Sequence, residues 1–391
     1  MIDKKTKESL ADKHILCFGV SPEFLIQTPL RVEWFGAYSS LHGSSRLTSA
    51  ISAYMFASVS QNKERVIRII SNHYPAINIS LDKVASDFEK GSSQSLIYQL
   101  LNQTQLHLKN GLNIFIESET KHGFHFGSSS GFLLIVLEAI AFVSKSKSAF
   151  RNEEKIRLIH HVEQNQMITP CHLSDALSML EGGTNLYQMD GQNYPIYQKS
   201  LGSFKAYKII ALSIQNFVHQ AHLGIKNILE QMNIIAQHYQ QKHLMDIDSL
   251  TFHHDERDLS LLFGTKAIAK ANHFFQENFA LKKAFLALEK DDEKTFFNLL
   301  MQTQQRDIEL LEHHQVSSPS ELKIANTIKW LHTTFPNIAF RLHGFGFQGD
   351  FILLIPNESY RETFQRLKKQ FYQDHVKEIK IVNQGIRIFK L

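Results

Sequence analysis

Twelve consecutive residues, FLLIVLEAIAFV at 132–143, contain a single polar side chain, Glu138. A helix that is apolar all round has no face to present to water and belongs in the middle of a core. The run is too short to cross a bilayer. Directly in front of it, KHGFHFGSSSG (121–131) crowds three glycines and three serines. Such a loop aims backbone N–H groups and the positive end of the helix dipole at phosphate. Serine hydroxyls in the first turn add a ligand to Mg²⁺ or a hydrogen bond to phosphate. Serine is also a preferred N-cap. The loop alone leaves both readings open.

A chain of 391 residues has room for two domains, each with its own core. The net charge of +4, from 42 basic and 38 acidic residues, is too weak to imply nucleic acid or an anionic membrane as a partner. The start, MIDKKTKESLADKH, lacks the apolar centre of a signal peptide. Two cysteines, Cys17 and Cys171, make no disulfide framework, so a reducing, cytoplasmic location is expected. Histidines are numerous at 21, with adjacent pairs at His160-His161, His253-His254 and His313-His314. Adjacent residues point different ways on a helix or strand, which is poor zinc geometry, and nothing here commits to a structural metal.

The first half alternates strand-like and helix-like pieces. FLIQTPLRVEWFGAYSS (24–40) reads as extended segments broken at Pro29 and Gly36, and 65–73 and 112–120 read as strands. Residues 131–146 and 153–166 read as helices, and Gly182-Gly183 ends a further helix before a strand. After a strand at 207–214, apolar periodicity predicts helices near 222–243, 265–289, 292–313 and 319–334. The end reads as strand, glycine turn and strand (338–356), a helix (358–375), and a hairpin at 378–391 with NQG at its bend. This is an α+β chain, with a boundary near 200–206. Neither a Rossmann fingerprint nor G-x-x-x-x-G-K-[ST] is present, so any nucleotide binds in another way.

Three stretches carry a resemblance. TPLRVEWFGAYSSLHG (28–43) resembles the galactokinase signature A-P-G-R-V-N-L-I-G-E-H-T-D-Y-N-G, matching at Pro29, Arg31, Val32, Gly36 and Gly43. HVEQNQMITPCHLSDALSMLEG (161–182) resembles A-E-H-x-F-x-G-x-x-C-G-I-M-D-Q through Glu163, Cys171 and Asp175. RLHGFGFQGD (341–350) resembles R-M-T-G-G-G-F-G-G-C at Arg341, Gly344, Gly346, Phe347 and Gly349. Weaker matches lie between them in the right order: KANHFFQEN (270–278) to R-A-x-H-x-x-x-E-N, 299–322 to a helix ending V-S-x-P-E-L, and the serine loop to P-x-G-x-G-L-S-S-S-A. The sequence is similar to a divergent galactokinase-type member of the GHMP superfamily, that of galactokinase, homoserine kinase, mevalonate kinase and phosphomevalonate kinase.

The resemblance implies an N-terminal α/β domain (1–205), a ferredoxin-like C-terminal domain (206–391) and an active site between them. It implies ATP and Mg²⁺ as cofactors and a small-molecule alcohol as acceptor. Phosphoryl transfer is mostly positioning and charge neutralisation, and the resemblance gives those roles to Asp175 and Arg31. It places phosphates against Gly123, Gly127, Ser128, Ser129, Ser130, Gly344, Gly346 and Gly349, and Mg²⁺ at Glu163 with Ser129 or Ser130. The acceptor faces Ala37, Tyr38, Ser40 and His172, with Leu223 in the region of the family's sugar-contacting tyrosine.

The departures concern specificity. Where the signature carries an acid, a His and an Asp that grip sugar hydroxyls, this chain has Ala37, Tyr38 and Ser40. His172 replaces a glycine and projects a ring toward the acceptor. Losing one charged partner costs about 1.5–3 kcal/mol, and losing two about a factor of hundreds, so galactose is not expected as the natural acceptor. Phe124, His125 and Phe126 stand at small-residue positions, and Phe345 and Gln348 interrupt the last glycine run. Two readings follow: a kinase for a sugar or polyol other than galactose, or a catalytically inactive descendant that regulates or binds a protein partner.

Overall fold

The computed structural model describes residues 2–72, 75–82, 88–104, 108–120, 126–144, 150–167, 171–189, 195–200, 204–214, 221–310 and 319–391. The first half contains α1 (Lys4–Phe18), β1 (Phe24–Phe35), β2 (Arg46–Asn62), β3 (Val66–Ser71), β4 (Ile77–Ser80), α2 (Ser93–Thr104) and β5 (Gly111–Ser118). It continues with α3 (Ser128–Val143), α4 (Asn152–Gln166), α5 (Leu173–Glu181), β6 (Thr184–Met189) and β7 (Pro195–Ser200). The second half contains β8 (Tyr207–Ser213), α6 (Ala221–His238), α7 (Ser249–Phe263), α8 (Thr265–Glu289), α9 (Glu293–Leu310) and α10 (Pro319–Thr334). It ends with β9 (Ala339–Leu342), β10 (Asp350–Pro356), α11 (Asn357–Gln370), β11 (Val376–Ile379) and β12 (Arg387–Lys390).

One sheet runs β12-β1-β2-β5-β3-β4, with β6 and β7 continuing from the first part of β2. β1 is buried along its whole length. It does not break at Pro29: the strand absorbs the missing N–H with a register shift against β2 between Pro29 and Leu30. Helix α3 lies against β1, and its run from Leu133 to Leu137 is fully buried. Glu138 is tolerated there because Lys155 of α4 pairs with it.

The second sheet has the order β11-β8-β10-β9 and is antiparallel throughout. With helices after β8 and α11 after β10, this is the ferredoxin-like βαββαβ arrangement. Its inner face, including Ile209, Ala339 and Leu354, joins the core of the first sheet. α6, α7 and α8 pack round a separate cluster containing Met232, Phe252 and Phe274. Helix α7 was not foreseen in the sequence, where its short apolar face is diluted by HHDERD.

The segment 378–391 is not a hairpin. β11 belongs to the second sheet, whereas β12 crosses back to pair with β1. The NQG stretch docks on the end of α5: the Ile386 N–H donates to Met179 O at 2.8 Å, and Val382 O accepts the Gly183 N–H at 2.7 Å. A side chain at Gly385 would meet Leu180 O at 1.9 Å, so glycine is needed for close approach and not for a bend. The C-terminal segment thereby braces the helix that carries Asp175.

Candidate active site

The polar centre lies where β1, the start of α3, α4 and α5 meet. Arg31 on β1 grips Asp175 in the first turn of α5 with two bonds, Nε to Oδ1 at 2.8 Å and Nη2 to Oδ2 at 2.7 Å. Arg46, at the start of β2, donates to Asp175 Oδ1 at 2.6 Å and to Ser174 Oγ at 2.9 Å. It is itself held by Glu33, two residues beyond Arg31. Burial pushes the Asp175 carboxyl up, but Arg31 and Arg46 outweigh that and hold it well below the usual carboxylate range. His343, just beyond β9, uses Nε2 to accept from the Glu33 N–H at 3.1 Å and lies 3.0 Å from Arg31 Nη1.

A second group adjoins it. Ser129 Oγ donates to Glu163 Oε1 at 2.7 Å, and Ser130 Oγ lies 2.9 and 3.1 Å from the two Glu163 oxygens. Burial raises this carboxyl to about 7, Asp175 adds to the rise, and the serine hydroxyls offset part of it. These serines are therefore not caps. Gly127 occupies the N-cap of α3 at φ 79°, and the serines form the first turn. A Cβ at Gly127 would meet Met179 Cε at 2.6 Å and the Arg31 side chain at 3.2 Å, so this glycine admits both the left-handed backbone and the arginine.

Between β9 and β10, Gly344, Gly346 and Gly349 all have positive φ, as a tight turn beside the site requires. Phe126 is fully buried, edge-on to His343 at 5.4 Å. Phe345 lies against the rings of Tyr38 and His172, at 5.1 and 5.5 Å, while Gln348 is exposed. Gly123, Phe124 and His125 lie outside the described residues, as do His313 and His314.

Of the residues expected to face an acceptor, Ala37 and Tyr38 pack into the α6–α8 cluster, and the Tyr38 hydroxyl donates to Phe345 O at 2.8 Å. His172 caps α5 through its backbone while its ring lies 3.2 Å from Ser40 Oγ. Leu223 is half exposed on α6. The pairs His253-His254 and their neighbours Glu256 and Asp255 are surface contacts.

A separate buried knot was only partly legible. His273 Nε2 lies 3.0 Å from Asp307 and 3.3 Å from Glu277, and Arg341 pairs with both acids at 2.6 and 3.1 Å. Glu277 also accepts the Gly36 N–H at 2.7 Å, and Arg341 donates to Trp34 O. Burial lowers His273, but the two acids outweigh it and raise it to about 9, so it donates and does not ligate. His273, Glu277 and Asp307 have the spacing of a metal site, but Arg341 takes the place of a cation.

No protein-family model matches the sequence. A galactokinase of Levilactobacillus brevis is 22% identical over 303 residues, 75% of this chain and 76% of that protein. Among solved structures, a galactokinase of Lactococcus lactis, complexed with galactose, superposes with a TM-score of 0.80 at 15% identity, covering 98% of this chain and 100% of that one. A mevalonate kinase of Methanococcus jannaschii matches with a TM-score of 0.63 at 16% identity, over 92% and 98% of the two chains. The chain therefore has the fold of these GHMP-superfamily kinases and is similar in sequence to a galactokinase.

Within this GHMP fold, sequence reasoning missed Arg46, Glu33, His343 and Asp307. Glu33 had a signal: it stands two residues from Arg31 on an otherwise apolar strand, hence on the same face. Arg46 and Asp307 had none, because each meets its partners only through tertiary contact.

Proposed function

We propose that this chain transfers the terminal phosphoryl group of ATP to a hydroxyl of a small sugar or polyol other than galactose. The observation that carries the proposal is the Arg31–Asp175 clamp lying beside the Ser129–Ser130–Glu163 group at the start of a buried helix. Asp175 is doubly ion-paired and therefore a weak base. That suits a reaction with a loose transition state, in which orienting the acceptor hydroxyl matters more than removing its proton early. Arg31 places positive charge against the transferring group. The α3 N-terminus has no side-chain cap among the described residues, so its N–H groups are available to phosphate.

Three hard oxygens converge at Ser129, Ser130 and Glu163, and the raised carboxyl is that of an acid whose burial a cation would offset. The residues fit Mg²⁺, which when bound supplies neutralisation of phosphate charge. At Ala37 and Ser40 the paired carboxyl grips of a galactose site are missing, which supports a different acceptor.

The second reading, an inactive descendant that binds a protein, is favoured by Phe345 packed over His172 and Tyr38 on the acceptor side. A coupled assay for ADP release against a panel of sugars and polyols, with calorimetry using a non-hydrolysable ATP analogue, separates the two. Turnover that Asp175→Asn removes while nucleotide still binds supports the kinase. Absence of nucleotide binding at millimolar concentration supports the inactive form.

A further inference from the structure

We infer that the acceptor is an anionic sugar or polyol, carrying a phosphate or carboxylate besides the hydroxyl that is phosphorylated. This rests on the kinase reading and names the substrate class of the same site. A cleft of about 930 Å³ extends from Ser40 and Leu173 to Lys242 and His243 on the α6–α7 connection, with Arg157, His160 and His161 of α4 on its wall. That volume is within the range of small-molecule sites. Its described lining has two fixed cations, Arg157 and Lys242, and one carboxylate, Asp246. That carboxylate already accepts the His243 N–H at 3.2 Å.

The near end of the cleft adjoins the reacting group: Ser40 on its lining lies 3.2 Å from His172 Nδ1, and His172 O accepts the Asp175 N–H at 3.2 Å. At the same end, Ser40 Oγ donates to Gly36 O at 2.6 Å and therefore accepts from His172 Nδ1–H. His172 is 9% exposed, and its Nε2 keeps a buried lone pair without a partner among the described residues; His160 Nδ1 is also buried without one. A buried polar atom of this kind is costly until a polar group meets it. His172 Nε2 is an acceptor for a ligand hydroxyl. At Ser40, on the lining, the resembled signature carries an acid that would repel an anion. The ligand's hydroxyl faces Asp175 and its anion faces Lys242.

The test is calorimetric titration of the full chain, saturated with a non-hydrolysable Mg-ATP analogue, with glucose 6-phosphate, glucuronate, glucose and inorganic phosphate. We expect an anionic sugar to bind at least tenfold tighter than glucose, with affinity falling as salt rises. Lys242→Glu, an exposed position, should cost tenfold or more for that sugar and leave the nucleotide analogue unaffected. Preference for glucose 6-phosphate over glucuronate, or the reverse, assigns the anion. Glucose binding as well as either, indifference to Lys242→Glu, or inorganic phosphate binding as tightly as the sugar would overturn the inference and leave the kinase reading standing. Sugar binding without any nucleotide binding would overturn the kinase reading and keep the anionic ligand.

Discussion

Two buried clusters of similar charge stand a short way apart. Arg31, Arg46, Glu33 and Asp175 tie β1, β2 and α5 together; Arg341, His273, Glu277 and Asp307 tie α8, α9 and β9. Each sets two cations against two carboxylates. The second closes on backbone groups, Trp34 O and Gly36 N–H, and so fastens the turn after β1 to the strand before the glycine loop. The first adjoins a carboxyl with raised pKa and a helix N-terminus that has no side-chain cap among the described residues. Buried charge by itself does not mark chemistry; its neighbours do.

Matching substitutions would break that contrast. Asp175→Asn should lower transfer by ~10²–10⁴-fold with little change in nucleotide affinity. Asp307→Asn should leave turnover within a few-fold but lower unfolding free energy by about 3–5 kcal/mol, as for a buried pair that loses one partner. If steady-state kinetics and chemical denaturation gave the opposite pattern, the roles of the two clusters would be exchanged.

The pH dependence sharpens it further. Glu163 is raised from 4.5 to about 7, so its burial destabilises the fold increasingly as pH rises from 4.5 through 7. Mg²⁺ should therefore raise the melting temperature at pH 8 and have little effect at pH 5, and Glu163→Gln should abolish the difference, worth roughly 3 kcal/mol. His273 runs the other way. Raised from 6.5 to about 9, it contributes stability in full below 6.5 that is lost as pH rises through 9. His273→Gln should flatten that decline in a pH series of thermal melts.

A smaller effect is expected at the brace. Gly385→Ala forces Leu180 O away and should cost about 1–3 kcal/mol, with a lower turnover because α5 moves. Unchanged kinetics in a folded variant would show that the C-terminal segment does not position Asp175. Ser40→Ala should be the mildest, about 0.5–1.5 kcal/mol, through loss of the His172 contact.

Much of this was legible along the chain because it is local. The apolar run of α3, the glycine turns and the alternation of strands and helices follow from periodicity and backbone preference. The NQG segment misled for the same reason: a glycine signals either a bend or a close approach, and only its neighbour, Leu180 O, distinguishes them. Arg31, Asp175, Glu163 and the serines could be named from their motifs, but the second arginine on Asp175 could not.

The sequence by itself determined which residue types are present, the buried helix and the loss of carboxyl groups at Ala37 and Ser40. Tertiary structure decided what those residues do. It placed Arg46 on Asp175, turned the serine hydroxyls to Glu163, and sent the final strand back to the first sheet. Those outcomes depend on contacts between residues as far apart as Gln27 and Arg387, whose register is set by packing that no local pattern encodes.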